Sequence, residues 1–172
     1  FTMERKFQEI EPAEMKDNVF TAIGNQWMLI TAGGAPDFNT MTASWGGMGH
    51  LWNRDVAFIF VRPQRYTFGY VEDNETFTLT FFDEAYRDVL QYCGTHSGRN
   101  VDKIEQTGLT PVTGETGAVY FEEARLVLEC RKLYAQDLNA ASFVDTDIRA
   151  DVYAADDYHR LYVGEIVRVL QR

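Results

Sequence analysis

Cysteine, proline, histidine and positive charge are all scarce in this chain, and each scarcity removes a class of reading. Its 172 residues hold 2 Cys, 4 Pro and 3 His. Cys93 and Cys130 are too few for a disulfide framework and show no metal spacing. They read as reduced, partly buried thiols of a cytoplasmic protein. His50, His96 and His159 stand far apart, without the helical or Cys/His pairing of a zinc site. The 16 basic residues face 26 acidic ones, a net charge of −10. Such a surface repels phosphate backbones and anionic lipid, so neither nucleic acid nor membrane is expected as a partner. No apolar run approaches the roughly 20 residues of a bilayer span. The start, Phe1-Thr2-Met3-Glu4-Arg5, does not read as a signal peptide. No G-x-S-x-G elbow occurs, and Gly46-Gly47-Met48-Gly49 leads into Trp52-Asn53-Arg54 rather than a helix, which makes it a weak candidate for a dinucleotide or phosphate loop.

What remains is a chain with 45% hydrophobic residues and no repeat or linker, read as one domain over residues 1–172. Met15, Val19, Phe20 and Ile23 fall at helix spacing, with Pro12 at its first position and Gly24 past its end. Gln26 to Thr31 then reads as a strand, Gly33-Gly34 and Pro36-Asp37 as a turn, and Phe38 to Trp45 as extended chain. Val56 to Val61 is apolar on both faces; Thr76 to Phe82 alternates, with Phe77, Leu79 and Phe81 on one side. Asp83 caps an expected helix whose apolar face is Ala85, Val89, Leu90 and Cys93. A short helix over Val101 to Thr107 takes Asn100 as its cap and ends at Gly108. Ala124 to Arg131 reads as a half-buried strand, Asp145 to Asp157 as loop or short helix, and Leu161 to Leu170 as the last strand. Helices too few to serve as crossovers argue for a mainly β, antiparallel barrel or sandwich with peripheral helices.

Three segments carry candidate chemistry. Asn39-Thr40-Met41-Thr42-Ala43-Ser44-Trp45-Gly46 puts amide, hydroxyl, small and aromatic side chains on one strand. A flat ring with a polar rim needs that mixture, although a Thr/Ser-rich edge strand facing water would look similar. Arg62-Pro63-Gln64-Arg65-Tyr66-Thr67 places two guanidiniums where a strand hands over to a helix, a setting suited to phosphate oxygens or to plain solvation. Thr95-His96-Ser97-Gly98-Arg99-Asn100-Val101-Asp102-Lys103 gathers small and basic residues at a helix start.

In this order the three segments, with Gly108-Leu109-Thr110 and the closing His159 to Val169, resemble the flavin reductase-like family with an FMN-binding split barrel, especially its flavoredoxin-like branch. The resemblance implies an antiparallel Greek-key split barrel that dimerises and binds FMN without a covalent bond. It implies that Asn39, Thr40, Met41, Thr42, Ala43, Ser44 and Trp45 line the ring and ribityl chain. Arg65, Tyr66 and Thr67, with Ser97, Gly98 and Lys103, would sit at or near the phosphate, beside Pro63. Arg62 departs from the small residue of many relatives, so its contact is open. The implied activity passes electrons from NAD(P)H through FMN to a flavin or another acceptor, with His159 as a candidate ring contact or proton donor. An FMN electron carrier serving a redox partner, with no nicotinamide site, is the alternative. A barrel that has lost flavin or binds haem is a third.

Overall fold

The computed structural model describes residues 6–172, and the expectation for Phe1 to Arg5 lies outside them. Its strands are β1 (Gln8–Ile10), β2 (Met28–Gly34), β3 (Asp37–Ala43), β4 (Gly46–Leu51) and β5 (Arg54–Val61). After them come β6 (Thr76–Phe81), β7 (Pro111–Thr113), β8 (Val119–Phe121), β9 (Leu126–Asp137) and β10 (Arg160–Gln171). The helices are α1 (Val19–Thr21), α2 (Tyr66–Asp73), α3 (Arg87–Thr95), α4 (Lys103–Thr107) and α5 (Thr146–Val152). Every strand pairing is antiparallel, in the order β3-β2-β6-β9-β10-β5-β4, with β1 added beside β10 and β7-β8 as a separate hairpin. Strand β5 lies beside β10 rather than beside its successor β6, which is a Greek-key arrangement.

The two outer strands of the main sheet, β3 and β4, are consecutive in the chain, and Ser44-Trp45 alone connects them. No ladder joins them among the described residues, yet the sheet curls until a Cβ placed on Gly46 would lie 3.2 Å from Met28 Cε on β2. The barrel is therefore split along β3, and the split brings the ring-suited segment to an accessible edge.

Two apolar clusters hold the sheet. Ile30, Ile59, Phe77, Leu79, Phe81, Leu128 and Tyr162 fill the barrel interior, each with essentially no exposed surface. Leu29, Leu90, Cys93, Val119, Phe121 and Val127 form a second cluster outside it, under α3 and the β7-β8 hairpin. At about 25 cal/mol per Å2, a fully buried Leu or Phe contributes roughly 1.5–3 kcal/mol, so the outer cluster matters to stability as well. This second layer corrects the half-buried reading of Ala124 to Arg131, since Val127 and Glu129 on the supposed wet face are fully buried. It also buries the threonine face of β6, where the Thr78 hydroxyl donates to Val119 O at 2.6 Å.

Local differences have local causes. The helix expected from Pro12 to Ile23 is broken into a 3-10 turn, Pro12–Glu14, and α1, which continues as a wide turn over Ala22–Gln26. Asn18 restarts the chain there, its side chain accepting from Thr21 N at 3.2 Å. Gly24 falls inside the wide turn, not after it. Helix α4 begins at Lys103 and is capped by Asp102 instead of Asn100, because Asp102 Oδ1 accepts from both Ile104 N and Glu105 N. Gly108 ends it at φ 72°, a conformation that disfavours any side chain. Asp83 precedes a 3-10 turn that leaves Ala85 exposed, while Leu90 and Cys93 of α3 are buried. The glycine-rich stretch before Trp52 is the unforeseen edge strand β4. It turns into β5 through Trp52 and Asn53, at φ 54° and 56°, the turn twist that suits hairpins.

Candidate functional site

Strand β3 forms the floor of the site, and three connections converge above it. The first runs from the end of β5 to α2 and contains Arg62 to Arg65. The second is the loop from α3 to α4, His96 to Asp102. The third returns from α5 to β10 and delivers His159. Thr67, in the first turn of α2, accepts a 2.8 Å hydrogen bond from Asn39 Nδ2, which locks the helix start to β3. Gly98 lies on the same amide. A Cβ there would meet Asn39 Oδ1 at 2.2 Å and Tyr66 Cδ1 at 2.9 Å, so only glycine lets the loop settle this close.

At this end a cleft of about 160 Å3 is lined by Asn39, Met41, Arg65, Thr67, Ser97, Arg99 and Lys103, among others. Lys103 is 5% exposed. Its Nζ donates to Thr40 O at 2.6 Å and Cys93 O at 2.9 Å, while Arg65 Nη1 donates to Gly94 O at 3.3 Å. The last carbonyls of α3 thus draw both cations inward, which is favourable at a helix C-terminus. Among the described residues neither cation lies within ion-pair distance of a carboxylate. Burial, and then the nearby Arg65, push the Lys103 ammonium down to about 8, against the opposing effect of Cys93. Burial also lowers Arg65. A buried and a half-buried cation without an acid beside them, in a chain of net charge −10, make a site for a small anion.

The cleft continues along β3. A second cleft of about 280 Å3 shares Met41 and Arg65 with the first and adds Thr42, Ala43, Ser44, Trp45, Phe60, Arg62 and His159. Trp45 is half exposed at its mouth, with its ring 5.3 Å from that of His159. The His159 Nδ1 lies 2.6 Å from the Tyr153 hydroxyl, inside the protein. Burial first, and Arg62 second, push His159 down to about 4 despite Asp157, so the imidazole is neutral at pH 7. The whole groove is elongated, cationic at one end and aromatic at the other. It suits a flat molecule that ends in a phosphate.

Not every expected side chain faces this groove. The Thr40 hydroxyl is turned into the sheet, 2.9 Å from Thr31 Oγ1 and 3.3 Å from Ile30 O, and the Thr42 hydroxyl donates to Leu90 O. Pro63 lines a neighbouring cleft beyond Tyr66 instead. Arg62 is held by Asp157 Oδ2 at 2.8 Å and by Val152 O at 3.0 Å, with Gln64 on the same carboxylate at 2.9 Å. It ties the α5 connection to the groove and is not a free cation. Arg99 was outside the expected set. It donates to Gln64 O at 3.1 Å and lies 5.0 Å above the Tyr66 ring. Its signal in the sequence was its place in the segment of small and basic residues at the start of a helix.

The sequence pattern described as the flavin reductase like domain matches residues 20–172. No curated protein matches the chain. Among similar solved structures is a flavoredoxin from Methanosarcina acetivorans, with 24% identity and TM-score 0.67, covering 95% of this chain and 76% of that one. An FMN-binding protein from Thermus thermophilus has 23% identity and TM-score 0.66, over 85% and 71% of the two chains. The NADH:FAD oxidoreductase of Streptomyces globisporus has 18% identity and TM-score 0.65, over 86% and 75%. At these identities the likeness establishes the fold, an antiparallel split barrel, and the sequence match over nearly the whole chain places it in the flavin reductase-like family.

Proposed function

We propose that the protein is an FMN-dependent oxidoreductase of the flavin reductase type, passing electrons from NAD(P)H through bound FMN to a flavin or another acceptor. The observation that carries this reading is the carboxylate-free pair Arg65 and Lys103 at one end of a groove whose other end is Trp45 and His159. Arg65 and Lys103 would hold the phosphate, with the Ser97 hydroxyl beside them and Gly98 leaving room for the loop. Met41, Ala43, Ser44 and Trp45 would border the ring. When bound, FMN supplies the two-electron chemistry that no side chain here can perform. The chain's own contribution is to bind, orient and shield: β3 limits approach to one face, and neutral His159 offers a hydrogen-bonding ring nitrogen without adding charge. We place the protein in the cytoplasm on its two free thiols.

Anaerobic mixing of the FMN-loaded protein with NADH and NADPH, followed at the flavin's visible absorbance, tests the electron path. Rapid bleaching is expected. A flavin that stays oxidised with both nucleotides would instead favour a flavoredoxin-like carrier served by a redox partner.

The proposal includes a homodimer. Exposed Trp52 and Tyr134 pack edge to face, 6.1 Å apart, on an outer surface of the barrel, and half-exposed Trp45 leaves the aromatic end of the groove open to a second copy. Light scattering on the FMN-loaded protein should give twice 19.7 kDa at micromolar concentration. The monomer mass would sink this part.

A further inference from the structure

At the aromatic end of the groove, one buried hydrogen bond decides what the chain offers a ligand. The Tyr153 hydroxyl lies 2.6 Å from His159 Nδ1, and the two residues are only 5% and 9% exposed. Either atom could carry the proton between them, and the two choices leave opposite groups facing the groove. We propose that Tyr153 is a positioning residue: its hydroxyl donates to His159 Nδ1 and so fixes the imidazole in the tautomer that turns Nε2–H toward the aromatic end of the groove. The tautomer is a property of the chain alone; its consequence for FMN rests on the flavin reading given above.

Three observations set the direction of the bond. Among the described residues the Tyr153 hydroxyl has no acceptor other than Nδ1, so the reverse sense would leave a buried phenol proton unpaired. Turning the ring over would set a carbon against the hydroxyl and strand the same proton. Next, burial raises the Tyr153 pKa, against Arg62 and a backbone hydrogen bond from His159. The phenol therefore keeps its proton at pH 7, and its oxygen already meets a second donor. Finally, the neutral imidazole has a single N–H to place. Nε2 has no partner among the described residues and is not one of their buried side-chain atoms left unpaired, so it opens on the groove that His159 lines.

The surroundings hold the pair still. Arg62 Nη2 donates to Val152 O at 3.0 Å, next to Tyr153, and Arg62 Nη1 donates to Asp157 Oδ2 at 2.8 Å. The same guanidinium lies 5.4 Å from the centre of the Tyr153 ring. That ring also meets Phe143 at 5.7 Å and Tyr158 at 5.0 Å, and Trp45 lies against His159. Arg62 and Asp157 are the charged groups that act on the imidazole, and they pair with each other. What reaches the groove is an uncharged donor. It suits a carbonyl oxygen or an atom that gains negative charge, and it rejects another donor. A reduced flavin ring carries more negative charge than an oxidised one, so this tautomer favours the reduced form.

Long-range proton–nitrogen NMR spectra of the apo protein read the tautomer directly, because protonated and bare imidazole nitrogens have well-separated shifts. At pH 7 His159 should carry its proton on Nε2 in the wild type, and Tyr153→Phe should give a mixture of both tautomers. In the FMN-loaded protein, the preference for reduced over oxidised flavin, read from the potential, should fall roughly threefold to tenfold in Tyr153→Phe, the value of one neutral hydrogen bond. His159→Phe should lose at least as much. The double variant should lose no more than His159→Phe, since Tyr153 acts only through the imidazole. A wild-type proton on Nδ1, an unchanged tautomer in Tyr153→Phe, or additive losses in the double variant would each overturn the proposal. So would the expected tautomer with an unchanged potential. If Tyr153→Phe does not fold, the wild-type spectrum and the potentials of His159→Phe and His159→Gln decide instead: glutamine keeps an N–H and should retain part of the preference, and equal potentials would overturn the proposal. A protein that binds no FMN would sink the flavin reading, while the apo spectra would still decide the tautomer.

Discussion

The affinity of the apo protein for FMN should fall by roughly tenfold per pH unit once pH rises above about 8, the value to which burial and Arg65 hold Lys103. Below pH 8 the ammonium is already charged when the phosphate arrives. Above it the free protein must take up a proton to bind, and affinity drops until the bound form also loses it. The FMN phosphate, with a second pKa near 6, stays a dianion throughout this window, so the ligand does not confuse the reading. Riboflavin lacks the phosphate, and its affinity should stay level. Arg65→Ala should remove one charge-assisted contact, worth about 1.5–3 kcal/mol, and so cost FMN roughly tenfold to hundredfold in affinity while sparing riboflavin. It should also shift the pH break upward, because a neighbouring positive charge that lowers Lys103 is gone. Isothermal titration of both flavins between about pH 6.5 and 9.5 (about one and a half units either side of the break) gives all the constants. A flat FMN profile, or equal loss for both flavins in Arg65→Ala, would mean that these cations do not hold the phosphate. For folding, the same shift has the opposite sense: Lys103 is lowered from 10.5, so its contribution to stability improves as pH rises from about 8 toward 10.5.

Glu129→Ala should lower the melting temperature by roughly 6–12 °C, from a loss of about 3 kcal/mol at 2–4 °C per kcal/mol for a chain of this size. Glu129 is fully buried on β9. It takes Arg168 Nη1 at 3.0 Å, and its other oxygen accepts from Thr116 N at 3.0 Å and from the Thr116 hydroxyl at 2.8 Å. The carboxylate thus fastens the turn between β7 and β8 to β9, with β10 held through Arg168. Removal leaves Thr116 without its acceptor, while Arg168 keeps Glu9 at 2.8 Å and Glu115 at 3.4 Å. These remaining partners place the expected loss at the lower end of the range for breaking a buried pair. Glu129→Gln keeps an acceptor for Thr116 and should lose less. Glu129 lines neither flavin cleft, so FMN affinity at 25 °C should not change. Calorimetry checks the first point and fluorescence titration the second; a melting point within 2 °C of wild type would refute the account (about 1 kcal/mol or less).

Most of the fold was legible where one physical constraint dominates. Alternation over Thr76 to Phe81 and the two-sided apolar run at Val56 to Val61 are strands in the structure, and Gly108 ends α4 as its conformational freedom suggests. Legibility failed where a second layer intervened. Val127, Glu129 and Thr78 look like solvent-facing positions only until the β7-β8 hairpin covers them. The Trp52-Asn53 turn carries no glycine at all, and hairpin closure between β4 and β5 imposes its positive φ values on two ordinary residues.

For the site, the sequence by itself determined which residue types are present and in what order: a ring-suited strand, then a pair of arginines, then a glycine with a lysine beyond it. Residue type alone could not rank the arginines, and only the family resemblance favoured Arg65. Arg62 and Arg65 sit three positions apart and are indistinguishable by composition. Only the tertiary structure decided that Asp157, 95 positions further along the chain, neutralises Arg62, while Arg65 meets Lys103 with no acid between them. It likewise decided that Thr40 and Thr42 spend their hydroxyls inside the protein, and that Arg99 stands on the rim of two clefts. The reason is physical. Side-chain periodicity records which face of its own element a residue occupies, but the charge state and hydrogen-bonding capacity of a site depend on partners brought from elsewhere by chain topology.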